Sequence, residues 1–191
     1  MKSIRFYLLS LFCFFAPLLF ADTSLLPLTQ SERAWLLAHP TIRVGMDSAY
    51  APYEWLDKKG HHIGMAVDYL RLVEQKLGIR FEIVKDKSWA ELVEMAKEGE
   101  VDVLTSIVQT PERLKYFTFS KPYRNTQTMI VDNGQGEFIG DLKFLASKKV
   151  AVEKGYFIQE MLATHYPNIA LILVNSTAEA LRYVMEGKAD A

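Results

Sequence analysis

The sequence predicts an α/β protein built as two lobes. Three observations carry this expectation: strand and helix signals alternate regularly, the rhythm breaks near residue 133, and one segment recurs at a shift of 88 residues. Alternating strands and helices are the pattern of a mostly parallel sheet covered by helices.

The elements follow in order. Thr29-Gln30-Ser31-Glu32 reads as a capping box opening a short helix through Ala38, stopped by Pro40. Thr41 to Met46 is a strand, and Tyr53 to Leu56 a short second one before the turn at Asp57 to Gly60. Apolar residues at 66, 67, 70, 73 and 77 make a helical stripe, with Gly78 where a C-terminal cap belongs. A strand from Ile79 to Val84 leads to a second capping box, Ser88-Trp89-Ala90-Glu91, whose helix ends at Gly99. Val101 to Ile107 alternates little, as in a strand buried on both faces. Thr110-Pro111-Glu112 starts a helical turn with Pro at its first position. Thr126 to Val131 is expected to be the next strand, and the lobe boundary falls near Asn133 to Gly136. Beyond it come a short helix around Asp141 to Ala146, strand Lys149 to Val152, helix Phe157 to His165, strand Ile169 to Val174 and helix Thr177 to Glu186.

The recurrent segment is SWAELVEMAKEGEVDV from Ser88 against STAEALRYVMEGKADA from Ser176, with six of sixteen positions identical. Capped helices that end in Gly share Ser, Glu and Gly by necessity. The equally spaced Asp102 and Asp190, and the strand before each copy, point instead to lobes of similar build. After Asp102 the chain runs on as a strand, whereas one alanine follows Asp190. The expectation is a second lobe that is incomplete at Ala191. The domain reading is therefore a signal peptide over 1–21, a lead-in helix over 22–40, lobe 1 over 41–132 and lobe 2 over 133–191.

Lys2 and Arg5 precede an uncharged run from Phe6 to Phe20, and Ala21 offers a small residue for cleavage. This reads as a secretory signal and predicts a periplasmic protein; an uncleaved anchor is the alternative. The one cysteine, Cys13, lies inside that run, so cleavage leaves no thiol for disulfides, catalysis or metal binding. Losing Lys2 and Arg5 leaves 20 basic against 23 acidic residues with no basic tract, which argues against nucleic acid as a partner. His61-His62 lies in a Gly-flanked turn without a further ligand at metal spacing, so no metal or cofactor is expected. Gly-x-Ser-x-Gly, phosphate-loop and His-Glu-x-x-His patterns are missing from the sequence.

In open α/β sheets ligands lie beyond the carboxyl ends of the strands. Those ends gather Asp47, Tyr50 and Tyr53 after the first strand, Thr105 and Ser106 after the strand beyond Gly99, and Arg113 on the following turn. An arginine fork suits a carboxylate, and aromatic faces suit an apolar or cationic part of a ligand. A surface ion pair between Arg113 and Glu112 is the competing reading.

Ile42 to Tyr123 resembles the extracellular solute-binding proteins of family 3, the polar amino-acid receptors of uptake systems. IRVGMDSAYAPYEW, GHHIGMAVDYLRLVEQKLG and GEVDVLTSIVQTPERLKYFTFSKPY carry the resemblance, and KKVAVEKGYFIQEML with the final AEALRYVMEGKADA continues it. It implies the two-lobed periplasmic-binding-protein, or Venus flytrap, fold. It also implies that Arg113 grips a ligand carboxylate, that Tyr50 and Trp89 sandwich the ligand, and that Asp47 reads its side chain. Ser106 and the Val108 backbone would line the floor, and Gly155 with Tyr156 would form the turn of the second lobe facing the anion. Two positions depart from the pattern: Val108 replaces a hydroxyl residue, and Tyr156 stands where a small Thr is usual. The acidic residue that holds a ligand amine in the family would lie beyond Ala191. TQSERAWLLAHPTIRVGMD and VAVEKGYFIQEML resemble more closely the flytrap ectodomains of sensor histidine kinases and diguanylate cyclases.

The expected function is capture of an amino acid or related carboxylate, with the second lobe closing over it and no enzymatic turnover. An ABC permease or a downstream signalling domain is the expected partner. Alternatives are a cyclohexadienyl-dehydratase-like enzyme on the same fold and a non-binding structural module.

Overall fold

The computed structural model describes residues 26–135 and 139–191. The signal segment with Cys13, and the first residues of the lead-in, lie outside the described residues. The lead-in helix α1 (Gln30–Ala38) opens on the expected capping box: Thr29 accepts from the Glu32 N–H, and Glu32 accepts from the Thr29 N–H.

The first lobe is a three-stranded parallel sheet with β1 in the middle. Its strands are β1 (Thr41–Gly45), β5 (Arg80–Ile83) and β6 (Val103–Leu104), in the order β5-β1-β6. Helices pack on both faces, but the strand expected over Val101 to Ile107 forms only at Val103–Leu104, where both residues are half-buried. Val44 and Met46 pack with Ala66 and Val67 of α2 (Met65–Leu77). Leu92 and Val93 of α3 (Trp89–Lys97) pack with Val101. Gly45 permits this approach, because a Cβ there would stand 2.7 Å from a Leu104 methyl and 3.3 Å from one of Leu92. Between β1 and α2 the chain makes a small antiparallel meander of β2 (Ala49–Tyr50), β3 (Glu54–Leu56) and β4 (His62–Ile63).

The second lobe pairs β7 (Lys149–Glu153) in parallel with β8 (Ala170–Val174), with α4 (Phe157–His165) between them in sequence and α5 (Thr177–Met185) after them. Val150, Val152, Leu145, Leu162, Ile169 and Ala191 form its core.

The segments matched at a shift of 88 residues do the same work in each lobe. Asp102 accepts from the Arg43 N–H at 2.8 Å, and its own N–H donates to the Arg43 carbonyl at 2.9 Å. Asp190 accepts from the Lys149 N–H at 2.7 Å and donates to the Lys149 carbonyl at 2.8 Å. Each aspartate thus staples the end of its helix segment to the first strand of its lobe. The flanking helices repeat the cap too, Ser88 accepting from Glu91 and Ser176 from Glu179. Gly99 and Gly187 both take positive φ, 77° and 68°, where a side chain would be strained.

Two expectations fail here. Thr126 to Val131 is not a strand, and Met129 is 75% exposed. Ile130 alone of its apolar residues packs against a core, that of the second lobe, and among the described residues no strand pairs with the segment. His62, expected in a solvated turn, is instead half-buried in β4, with no partner for its Nδ1.

Candidate functional site

The carboxyl ends of β1 and β6 open toward the second lobe, and nine side chains from both lobes line the cavity between them. Asp47 follows β1, is 4% exposed, and is fixed by the Ala49 N–H donating to its Oδ1 at 2.8 Å. Ser106 follows β6 in the left-handed region at φ 51°, a conformation that costs a non-glycine residue energy. Trp89 enters at the start of α3, directly after its Ser88 cap.

Glu54 organises the floor. It is fully buried on β3; the Asp47 N–H donates to its Oε1 at 3.0 Å, and the Ser106 hydroxyl to its Oε2 at 3.2 Å. The Thr105 hydroxyl also donates to Oε2. These donors favour the carboxylate, but burial outweighs them and pushes the Glu54 carboxyl up to about 7. Glu153, at the end of β7, is likewise pushed up to about 7, first by burial and then by the charge of Asp47. The Thr177 hydroxyl donates to it at 3.0 Å.

Arg113 is only 3% exposed, and its guanidinium spans the two lobes. Its Nη1 donates to the Val108 carbonyl at 3.0 Å, and its Nη2 to the Gly155 carbonyl at 2.9 Å. Its Nε donates to Glu160 of α4 at 3.0 Å, and Nη2 lies 2.9 Å from the same oxygen. Burial lowers its pKa and the Glu160 charge opposes that shift. The alternative pair with Glu112 does not form, since Glu112 bonds Lys115.

Tyr156 crosses the cleft from the other side. Its hydroxyl donates to Asp47 Oδ2, and its ring stands edge-on to Tyr50 at 5.9 Å and to Trp89 at 6.2 Å. Trp89 Nε1 donates to the Gly155 carbonyl at 3.2 Å. The space left among these groups is about 30 Å³, room for roughly one or two waters.

Of the residues singled out from sequence, Asp47, Tyr50, Trp89, Ser106, Val108, Arg113 and Tyr156 line the cavity. Thr105 and Gly155 stand behind it, Thr105 holding Glu54 and Gly155 offering its carbonyl to Arg113 and Trp89. The Gly155 N–H, expected to face an anion, is taken by the Gln159 side chain at 2.7 Å. Tyr53 packs on the outer side of Tyr50 at 4.8 Å, with the Arg124 guanidinium 4.5 Å over its ring. Sequence reasoning missed Glu54, Glu153, Phe157 and Glu160. A lone acid between Tyr53 and Trp55 in an apolar strand was a signal for Glu54; Glu160 gave none, because its partner lies 47 residues away.

Among the described residues no cluster of three His, Cys, Asp or Glu side chains is placed to hold a metal ion, and no helix is long and apolar enough to cross a membrane.

The profile of the bacterial extracellular solute-binding proteins, family 3, matches residues 42–188. The virulence sensor protein BvgS of Bordetella pertussis is 25% identical over 84% of this chain, which spans 13% of that sensor's length. A probable ABC transporter arginine-binding protein, ArtJ of Chlamydia trachomatis, is 31% identical over 76% of this chain and 56% of its own. The crystal structure of an ancestral amino-acid-binding protein, AncCDT-1, a precursor of cyclohexadienyl dehydratase, superposes with a TM-score of 0.70 at 29% identity. That match covers 83% of this chain and 71% of the other. The fold is the two-lobed α/β arrangement of periplasmic amino-acid-binding proteins.

Proposed function

The chain belongs to the bacterial extracellular solute-binding proteins, family 3, and on that premise we propose that it captures an amino acid or related carboxylate between its two lobes in the periplasm. The observation that carries this is Arg113, a buried guanidinium facing a cavity that also holds Asp47, Tyr50 and Trp89. A cation, an anion and two aromatic faces in one cleft complement a solute with a carboxylate at one end and an amine or apolar group at the other. The 31% identical relative named for arginine supports the same class.

The proposed mechanism is hinge closure. The first lobe holds the solute through Arg113, Tyr50, Trp89 and Asp47, and the second lobe covers it. The proposed use is signalling, supported by the match to a virulence sensor, with ABC-type uptake as the competing use. A transmitter coding region following Ala191 favours the first, and a neighbouring permease gene the second.

Thermal unfolding against a panel of amino acids, carboxylates and amines tests the binding reading. A solute at 100 times its dissociation constant raises stability by about 2.7 kcal/mol. No shift across the panel refutes the reading.

A second reading, a cyclohexadienyl-dehydratase-like enzyme, draws on one observation: Glu54 holds its carboxyl up to about 7 beside Asp47. Both Glu54 oxygens are already engaged by Asp47, Thr105 and Ser106, which favours a supporting role in a binder. Dehydratase turnover by the purified protein would reverse that preference.

A further inference from the structure

We propose that Tyr156 and Glu160 together form an internal stand-in for the ligand, which shuts the empty cleft and sets the affinity any solute must overcome. The proposal rests on reading the cleft as an amino-acid site. Each ligand-gripping group of the first lobe already has a second-lobe occupant. The Glu160 carboxylate, just outside the residues that line the cavity, lies on Arg113 Nε and Nη2 at 3.0 and 2.9 Å and so engages the guanidinium a ligand carboxylate would need. The Tyr156 ring packs edge-on against both Tyr50 and Trp89, the two rings expected to hold the ligand, and its hydroxyl satisfies Asp47. With both in place about 30 Å³ remains, far too little for an amino acid.

The occupants are placed so that they can leave. Glu160 is 33% exposed while its partner is 3% exposed, so on opening the carboxylate returns to water at little desolvation cost. Among the described residues its other oxygen accepts only from the Thr110 hydroxyl, at 3.2 Å. Tyr156 caps α4 without a side-chain bond to the helix, so no helix hydrogen bond is broken when its ring swings out. The two residues are four apart and lie on one side of the helix start, so a single movement of the second lobe withdraws both.

The exchange also orders the anchors. A ligand carboxylate on Arg113 replaces one charge-assisted pair with another, which gains little. A ligand amine on Asp47 replaces a neutral phenol with a cation, which gains more. Discrimination among solutes is therefore concentrated at the Asp47 end.

The test uses protein stripped of solutes by unfolding and refolding. Small-angle scattering should find the ligand-free wild type compact and the Tyr156→Thr, Glu160→Gln double variant expanded. Calorimetry across the twenty amino acids should then find the variant's best ligand bound about tenfold more tightly than by the wild type. An expanded wild type, an equally compact variant, or measurable binding that is unchanged or weaker in the variant overturns the proposal. Glu160→Gln alone, at a partly exposed position, should give the same direction if the double variant does not fold. If scattering separates the two proteins while neither binds any amino acid, the stand-in survives and the amino-acid reading falls.

Discussion

The segments beginning at Ser88 and Ser176 share a scaffold and differ in what they present. Both have a serine cap, a helix, a left-handed glycine and an aspartate stapled to the lobe's first strand. The first residue after each cap is where they part. In the first lobe it is Trp89, buried, with its indole N–H bonded across the cleft to Gly155. In the second lobe it is Thr177, whose hydroxyl bonds Glu153 within the lobe. The repeated residues fix the scaffold, and of the two residues that vary after the cap only Trp89 lines the cleft. The same division runs through the site: the first lobe holds its anchors Asp47 and Arg113 almost fully buried, while the second lobe brings partly exposed groups to them.

Removing a first-lobe anchor should have the largest effect. Arg113→Ala should weaken binding of the best amino acid by about 3–5 kcal/mol, because a carboxylate left in a closed cleft loses its partner. Calorimetry with unchanged affinity would show that the ligand does not reach Arg113. The same change at a second-lobe occupant is expected to act in the opposite direction, which is what separates anchor from occupant.

The two buried carboxyls offer a smaller contrast, one in each lobe. Glu54 and Glu153 both hold their carboxyls up to about 7 against an ordinary 4.5. Between these values the folded chain keeps a proton that the unfolded chain has lost, so stability falls as pH rises across that range. Below 4.5 that contribution is fully present, and it is lost as pH rises through about 7. His62, lowered by burial, works the other way, its folded form gaining as pH rises. Glu153→Gln keeps an oxygen for the Thr177 hydroxyl and removes that carboxyl's share. Urea unfolding from pH 5 to 8 should show the wild type losing on the order of 2 kcal/mol more than the variant. Equal slopes would mean that Glu153 is solvated in the folded chain.

Local signals in the sequence made most of the fold legible. Caps at Thr29, Ser88 and Ser176 and terminating glycines at 78, 99 and 187 mark helix ends through nearby backbone bonds, which a short window contains. The strand misread at Thr126 to Val131 shows the limit, since β-propensity without a partner edge does not make a strand. At the site, residues beyond strand ends were legible because topology places them there. The pairs that close the cleft were not. Arg113 meets Glu160, and Tyr156 meets Asp47 across 109 positions, and neither pairing leaves a trace in the spacing. Tyr156 stood out only as a bulky residue at a small-residue position, and the structure shows where its bulk goes.

The two staples provide the finest test, because they differ only in degree. Asp102 accepts from the Arg43 N–H and also from its Nε and Nη2, at 2.9 and 2.7 Å. Among the described residues the Asp190 carboxylate accepts from the Lys149 N–H alone. The Arg43–Asp102 ion pair is about two-fifths exposed on both sides, so water and salt screen it and it adds little to the backbone bond. Asp102→Ala and Asp190→Ala should therefore cost nearly alike, about 1 kcal/mol each, with Asp102 ahead by a few tenths. Raising salt to about 1 M, where the Debye length is about 3 Å, should erase that difference and leave the common cost in place. A gap of about 2 kcal/mol that persists in high salt would instead mean that the arginine pair, and not the staple, holds the first lobe's helix to its strand.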